Sequence, residues 1–164
     1  MKNPDRSDEP SNITRFPELR TKRLFLRELR LADAPALLEV WSDPEVTEFL
    51  TMDPFASQEQ AEEMIAFLRT LRGERTGCRW TITDARTERV LGTCGFHNVS
   101  AEHRRAEMGY ELGLPHHRRG YMTEAITAIL SLGFGDMGFN RVEAFVTVGN
   151  IPSRSFLEHL GFSL

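Results

Sequence analysis

Apolar residues recur along this chain with two different periods, and together these periods predict a domain of mixed strands and helices. An apolar residue at every second position is typical of a strand, and one at every third or fourth position is typical of a helix. The strand pattern covers residues 23–29, 79–84, 90–97, 106–114 and 141–148. The helix pattern covers residues 33–41, 57–73, 123–132 and 153–160. In chain order this is β-α-α-β-β-β-α-β-α, which predicts one α/β (α+β) domain over residues 18–164.

Local signals at the ends of these segments agree with the pattern. Asp33 is expected to cap the first helix, because a short acidic side chain accepts hydrogen bonds from the free amides of a first turn. Ser57 and Gln60 have the spacing of a capping box at the start of the second helix. Residues 1–17 follow neither period and mix prolines with charged residues, which predicts a flexible N-terminal tail.

Composition narrows the possible classes of protein. The chain has 164 residues, of which 40% are hydrophobic and 27% charged, as in a globular domain. A net charge of −4 argues against a dedicated nucleic-acid binder. No apolar run reaches the roughly 20 residues that cross a bilayer, and no secretory signal is present, so we expect a cytoplasmic protein without a membrane partner. Cys78 and Cys94 have neither disulfide nor metal-site spacing and are expected to be buried thiols, with no metal.

The most informative segment reads His-Arg-Arg-Gly-Tyr-Met-Thr-Glu-Ala at 117–125. Gly120 stands where a loop becomes a helix, and a residue without Cβ lets the backbone approach a ligand closely. The first amides of a helix have no intrahelical partner and lie at the positive end of its dipole, an arrangement that binds phosphate. Arg118 and Arg119 add positive charge. The segment predicts a pyrophosphate cradle for a phosphorylated cofactor, although a solvated turn would have the same local sequence.

Further motifs accompany this segment along most of the chain. They are Leu-Arg-Thr-Lys-Arg-Leu-Phe-Leu-Arg at 19–27, Leu-Gly-Thr at 91–93, Glu-Met-Gly-Tyr at 107–110, Gly-Tyr-Met-Thr-Glu-Ala at 120–125, and Asn150 with Ser153, Leu160, Gly161 and Phe162. In this order and spacing, residues 21–162 resemble the GNAT acetyltransferase superfamily, and within it the RimJ/RimL-like branch of ribosomal-protein N-terminal acetyltransferases. The resemblance implies a mixed, mostly antiparallel sheet with helices on both faces and splayed central strands.

The same resemblance implies acetyl-CoA as the co-substrate. The superfamily's cofactor signature, Arg/Gln-x-x-Gly-x-Gly/Ala, reads His-Arg-Arg-Gly-Tyr-Met here and departs from it at His117 and Met122. The implied pantetheine contacts are the strand backbone of Glu111, Leu112 and Gly113, with Asn150 and Ser153 from the last helix. The implied pyrophosphate contacts are His117, Arg118, Arg119, Gly120, Tyr121 and Met122. An ordinary buried strand is the alternative for 111–113, and a loop residue for Asn150.

Acetyl transfer to an amine requires a base, because a protonated amine has no lone pair, and the leaving thiolate benefits from an acid. Glu107 is the expected base, with Glu111 and His97 as rivals. A structural ion pair of Glu107 with Arg104 or Arg105 is the alternative. The superfamily's usual acid is a tyrosine on the last helix, at the position of Leu157, which cannot donate a proton. Ser153 is therefore the candidate acid, unless it only caps that helix.

The sequence says less about the acceptor substrate than about the cofactor. An acidic segment around residues 42–55 fits a cationic amine, and also fits an ordinary solvated surface. The expected function is acetyl-CoA-dependent N-acetyl transfer to a primary amine, either a protein N-terminal α-amine or a small amine, by direct attack in a ternary complex. The alternatives are a detoxifying enzyme for polyamines or antibiotics and a non-catalytic acyl-CoA-binding module.

The end of the sequence carries one more expectation. The resemblance implies a C-terminal strand after Gly161 and Phe162, and this strand is apparently missing here. The strand predicted at 141–148 would then have an unpaired apolar edge, which favours association. We therefore expect a homo-oligomer, most simply a dimer.

Overall fold

A single six-stranded sheet organises the fold in the computed structural model, which describes residues 15–163. The strands are β1 (Leu19–Arg20), β2 (Leu24–Glu28), β3 (Cys78–Asp84), β4 (Val90–Ser100), β5 (Arg105–Leu112) and β6 (Arg141–Glu143). They lie side by side in chain order, antiparallel except for the parallel pair of β5 and β6. The mixed, mostly antiparallel sheet of the sequence prediction is confirmed.

Helices cover both faces of this sheet, as predicted. They are α1 (Ala34–Trp41), α2 (Pro44–Thr47), α3 (Gln58–Gly73), α4 (Tyr121–Phe134) and α5 (Ile151–His159). On one face, Ile126 and Ile129 of α4 and Leu157 of α5 pack with Trp80 and Phe96 in the larger core cluster. The second cluster joins α1 and α3. Because side chains alternate across a strand, the apolar residues of β3 and β4 serve the larger cluster and their polar neighbours face α1.

The first residues of α3 and α1 show how well local sequence signals predicted helix capping. Ser57 and Gln60 form the predicted capping box at the start of α3. Asp33 is the N-cap residue of α1, as predicted, but its side chain makes no capping hydrogen bond, because its carboxylate instead binds the Arg27 guanidinium at 2.7 and 2.8 Å. Arg27 is buried, and a buried guanidinium needs an anionic partner more than an exposed helix amide does. Burial alone would raise the pKa of the Asp33 carboxyl, but hydrogen bonds from Arg27 and Arg30 lower it.

The strand predicted at 141–148 is correct only for its first three residues. β6 pairs with β5 at Arg141, Val142 and Glu143, and residues 144–148 form no strand. A strand exists only where a neighbour completes its hydrogen-bond ladder, and within residues 15–163 none lies beside 144–148. Other bounds differ less, since β5 ends at Leu112 and α4 begins at Tyr121.

Residues 15–17 of the predicted tail lie within the described part of the chain. The Phe16 ring stacks edge-on against Trp80 with centroids 5.6 Å apart, and the Trp80 indole N–H donates to the Pro17 carbonyl at 2.7 Å. The rest of the predicted tail lies outside the described residues. Both cysteines are buried as expected, and burial raises the pKa of each thiol to about 12.

Candidate functional site

A wedge opens between β5 and β6 and forms the centre of the candidate site. β6 follows β5 only as far as the pair Glu107–Glu143, and then the two parallel strands separate. β4 remains paired with β5 along the whole length from Glu107 to Leu112. The wedge therefore exposes one backbone edge of β5 without disturbing the rest of the sheet.

Backbone hydrogen bonds show which residues of β5 face the wedge. The Gly113 amide donates to the Leu91 carbonyl at 2.9 Å, and the Glu111 carbonyl likewise lies beside Gly92 of β4. Successive residues of a strand direct their backbone groups to opposite sides, so Leu112 and Tyr110 face the wedge. The Leu112 carbonyl already accepts a hydrogen bond from His117 Nε2 at 2.6 Å. The Tyr110 backbone and the Leu112 amide therefore face the open wedge, whereas the sequence indicated Glu111, Leu112 and Gly113.

At the wide end of the wedge, the loop at 117–120 leads into α4. Gly120 is the N-cap residue of α4 and has the left-handed φ of 76°, which a residue with a side chain rarely adopts. Arg118, just before it, has a φ of 56°. Because α4 begins at Tyr121, the amides of Tyr121 and Met122 belong to the first turn and have no intrahelical acceptor. The predicted cradle residues therefore do come together at a helix N-terminus.

A clamp of two side chains, Arg23 and Glu124, fixes this loop to the sheet. Arg23 Nε donates to the Glu124 carboxylate at 2.7 Å, and the Arg23 amide donates to the same carboxylate at 2.7 Å. Thr21 Oγ1 donates to it as well, at 2.5 Å. Arg23 Nη1 reaches the Arg119 carbonyl at 2.9 Å, and its guanidinium lies 4.4 Å from the centre of the Tyr121 ring. The loop is thereby held in one position relative to β2.

Glu111, the acidic residue of β5 that rivals Glu107 as the base, is fully engaged in structural contacts. Its carboxylate is buried and accepts hydrogen bonds from Arg79 Nη2, from Thr93 Oγ1 and, at 3.0 Å, from the Trp41 indole. Arg79 reaches it across Gly109, where a Cβ would stand only 2.9 Å from Arg79 Nη1. Its oxygens are thus occupied by three side-chain donors and are not free to receive an amine proton, which weakens Glu111 as a rival of Glu107.

Glu107 lies on the same face of β5 as Glu111, nearer the point where β6 separates. Its carboxylate accepts a hydrogen bond from Asn98 Nδ2 at 2.8 Å and lies 3.4 Å from His97 Nε2. The alternative of an ion pair with Arg104 or Arg105 was wrong, because Arg105 pairs with Glu143 at 2.9 Å and Arg104 donates to the Gly138 carbonyl. Within residues 15–163, no arginine or lysine pairs with Glu107.

His97 adds a titratable group beside Glu107. Burial lowers the pKa of the His97 imidazole, and the nearby Arg79 lowers it further, while Glu107 partly opposes both effects. The neutral imidazole is therefore favoured near pH 7, and it does not neutralise the Glu107 carboxylate. The arrangement leaves a carboxylate with one amide and one imidazole beside it, which can accept a proton.

On the opposite face of β5, two hydroxyl groups meet at the wedge. Tyr110 Oη and Ser153 Oγ are 2.8 Å apart. Ser153 is not the cap of α5, because Asn150 is the N-cap residue and its Oδ1 accepts from the Ser153 amide at 3.1 Å. The Ser153 hydroxyl is therefore free of a capping role. The sequence did not indicate a functional role for the Tyr110 side chain. The one signal was Leu157, which stands where the resemblance implies a tyrosine that protonates the leaving thiolate.

The acidic segment at 42–55 forms one side of the region near the wedge. Within it, Asp43 caps α2 through the Glu45 amide. The Thr147 hydroxyl donates to the Phe49 carbonyl at 2.9 Å and so joins this segment to the residues that follow β6. The segment thus stands beside the chain that leaves the wedge.

Across residues 15–163, no group of three or more histidine, cysteine, aspartate or glutamate side chains is arranged to hold a metal ion. No helix in the same part of the chain combines the length and the apolar character that crossing a bilayer demands.

Known acetyltransferases match most of this chain. The model of an acetyltransferase (GNAT) domain matches residues 23–163. Over 144 residues the chain is 41% identical to an uncharacterised N-acetyltransferase, p20, of Bacillus licheniformis, a match that covers 88% of this chain and 81% of that protein. It is 40% identical over 147 residues to the uncharacterised N-acetyltransferase YoaA of Bacillus subtilis, covering 90% and 83% of the two chains.

Among solved structures, the fold is similar to that of Mycobacterium smegmatis RimJ in complex with CoA-disulfide. The TM-score is 0.76 at 23% sequence identity, and the match covers 85% of this chain and 69% of that one. At this identity the likeness concerns the fold alone.

Proposed function

Because this chain belongs to the acetyltransferase (GNAT) domain family, whose members take acetyl groups from acetyl-CoA, we propose that it acetylates a primary amine by direct attack in a ternary complex. The observation that carries the proposal is the wedge with its two ends. The cradle at Gly120 stands at the wide end, and Glu107 stands where β5 and β6 separate. One extended thioester lying along β5 would reach both.

The cradle would bind the pyrophosphate chiefly through backbone groups. The amides of Tyr121 and Met122 and the dipole of α4 supply fixed partial charge, and Arg118 and Arg119 add full charges. His117 Nε2 is hydrogen-bonded to the Leu112 carbonyl and holds the loop against β5. We therefore expect the cradle to bind pyrophosphate without an arginine at position 117. The pantetheine arm would then pair with the open backbone of Tyr110, near Asn150 and Ser153.

The proposed chemistry needs one proton removed and one supplied. Glu107, directly or through a water, takes a proton from the attacking amine, since its carboxylate has no cationic partner among the described residues. The amine then attacks the thioester carbonyl, and the departing sulfur receives a proton from Ser153. Neither cysteine can act as a nucleophile in place of direct attack, because burial keeps both thiols protonated.

For the acceptor we propose a cationic amine, either a protein N-terminal α-amine or a small amine. The carboxylates of the 42–55 segment and of Glu107 favour a positively charged substrate. Steady-state turnover of acetyl-CoA with a panel of peptides, polyamines and aminoglycosides tests this directly. Turnover with peptides alone supports an N-terminal acetyltransferase, and turnover with small amines alone supports a detoxifying enzyme. Absence of turnover with tight acetyl-CoA binding would support a non-catalytic module.

The cradle assignment predicts the effect of a substitution at Gly120. We expect Gly120→Val to weaken acetyl-CoA binding at least tenfold in calorimetry. A β-branched residue is strained at the left-handed φ of Gly120, and its Cβ would lie 3.3 Å from Arg23 Nη2, beside the path of the pyrophosphate.

Gly138 offers a matched control for this experiment. It also has a left-handed φ, 68°, and also faces an arginine, with Arg104 Nη2 at 3.6 Å from the position of a Cβ. Gly138→Val should therefore carry a similar backbone strain and retain acetyl-CoA affinity. Equal affinity in both variants would contradict the cradle.

We also propose that two copies of the chain associate through the surface that follows β6. Phe145, Val148 and Ile151 are 80%, 98% and 69% exposed, and they border a groove of about 550 Å³. The groove also carries Arg141, Glu143, Arg154 and Glu158, so the same surface presents both signs of charge. Such a surface can match a second copy of itself about a two-fold axis.

Sedimentation equilibrium at micromolar concentrations should therefore show a dimer, and Phe145→Asp should convert it to a monomer. Phe67→Asp is the control, because Phe67 is also exposed, at 57%, but lies on α3. A wild-type protein that remains monomeric across this range would refute the dimer.

A further inference from the structure

We propose that Tyr110 is a positioning residue that makes Ser153 the proton donor to the leaving sulfur. The inference rests on the proposed acetyl transfer and extends it to the side chain of Tyr110, whose backbone alone has a role in the proposed cofactor binding. The observation is the 2.8 Å contact between Tyr110 Oη and Ser153 Oγ, which joins β5 to α5 at the wedge. Leu157, one turn after Ser153 on the same face of α5, is buried and has no proton to donate, and the Tyr110 phenol reaches this helix from the neighbouring strand.

Packing fixes both partners of this pair. The Tyr110 ring stacks edge-on against Phe156 with centroids 5.2 Å apart, so the phenol has little freedom to turn away. Ser153 lies in the first turn of α5, where its amide is held by Asn150. Phenylalanine at position 110 would make the same ring contact. The hydroxyl is therefore not required by packing, and its visible partner is Ser153.

The direction of the hydrogen bond determines the chemistry. A serine hydroxyl has a single hydrogen, and Ser153 can donate it to sulfur only if the bond with Tyr110 has the phenol as donor. Burial raises the pKa of the Tyr110 phenol, so the phenol keeps its hydrogen at neutral pH. A phenol that donates to Ser153 Oγ also polarises the serine O–H, because hydrogen bonds in a chain strengthen one another.

The proton balance of the step is complete. The C–S bond of the tetrahedral intermediate breaks, and its electron pair goes to sulfur. Sulfur takes the proton of Ser153, and the serine oxygen, which keeps its hydrogen bond from the Tyr110 phenol, takes a proton from solvent. The phenol keeps its own hydrogen throughout, and the proton lost by the amine leaves Glu107 to solvent. No oxidant, reductant or further co-reactant is needed.

A binding experiment tests the hydroxyl pair without turnover. CoA without an acetyl group carries a thiol, whose pKa in water is roughly 8.5. This CoA is bound to the protein and titrated with pH, and the thiolate is followed by its ultraviolet absorbance. If the pair donates to sulfur, bound CoA should have a lower thiol pKa in the wild type than in Ser153→Ala or Tyr110→Phe, by about one unit. Ser131→Ala, which removes a hydroxyl from α4, should leave this pKa unchanged.

A kinetic cycle supplies the second readout. Tyr110→Phe and Ser153→Ala should each lower kcat about tenfold, with KM for acetyl-CoA and the melting temperature nearly unchanged. Because the two residues act as one donor, the double variant should be no slower than the slower single variant. Additive losses in kcat, or a bound-thiol pKa that ignores Tyr110→Phe, would overturn the inference.

The outcomes also separate this inference from the proposed function. A wild-type protein that depresses the CoA thiol pKa through Tyr110 but acetylates no amine would refute the function and retain the hydroxyl pair. A wild-type protein that turns over, with a thiol pKa and kcat indifferent to Tyr110, would retain the function and refute the pair. Failure to bind CoA at all would refute both.

Discussion

Replacing Glu107 with glutamine is expected to lower kcat about 100-fold or more and to leave acetyl-CoA affinity nearly intact, since a general base contributes roughly 10²–10⁴ to the rate. Glutamine keeps the size of the side chain and can still bond with Asn98, but it cannot take a proton from an amine. The Glu107 carboxylate lies 3.4 Å from His97 and has no arginine or lysine partner within residues 15–163, so it is available to take the amine proton.

Measurement of kcat and of acetyl-CoA binding on the same preparation would check this expectation. Glu28, a glutamate on β2, provides the control, and Glu28→Gln should change neither quantity. An active Glu107→Gln variant, together with an inactive Glu111→Gln variant, would assign the base to Glu111.

Removal of the Glu111 side chain should have the largest effect on stability. Glu111→Ala leaves the mostly buried Arg79 with its charge unpaired, and breaking a buried ion pair in this way costs roughly 3–5 kcal/mol. The side chains of Arg79 and Glu111 are only 11% and 8% exposed, so solvent cannot compensate for the loss. Urea unfolding should show a much lower midpoint in this variant.

The surface ion pair between Arg154 and Glu158 is the matched comparison. Both side chains are at least half exposed, and Glu158→Ala should cost less than about 1 kcal/mol. A Glu111→Ala variant as stable as Glu158→Ala would mean that the Arg79 contact contributes little. The natural interpretation would then be that Arg79 finds water or another partner in the folded protein.

The sequence correctly predicted those structural features that depend on interactions between residues close together in the chain. The capping box of Ser57 and Gln60 spans three residues, and the Gly120 turn depends on the residues beside it. Both features, together with the layered fold, could be predicted from patterns and from a family resemblance. The proposed roles of Glu107 and Ser153 came from the same source and stay predictions.

The features that the sequence did not reveal depend on contacts between distant segments. Trp41 and Glu111 are 70 positions apart, and Tyr110 and Ser153 are 43 apart. No local period encodes such pairs, because the tertiary fold alone brings them together. The shortened β6 has the same cause, since the apolar run at 141–148 has strand propensity but lacks a neighbouring strand over most of its length.

The clamp between Arg23 and Glu124 makes the cradle dependent on the beginning of the domain. These residues are 101 positions apart, so the chain must close a long loop before the clamp can form. Proteolytic removal of the segment up to Arg23 would leave every cradle residue in the chain, yet the Arg119 carbonyl would lose the donor that holds it. Cofactor affinity would thereby report on the integrity of the N-terminal strand.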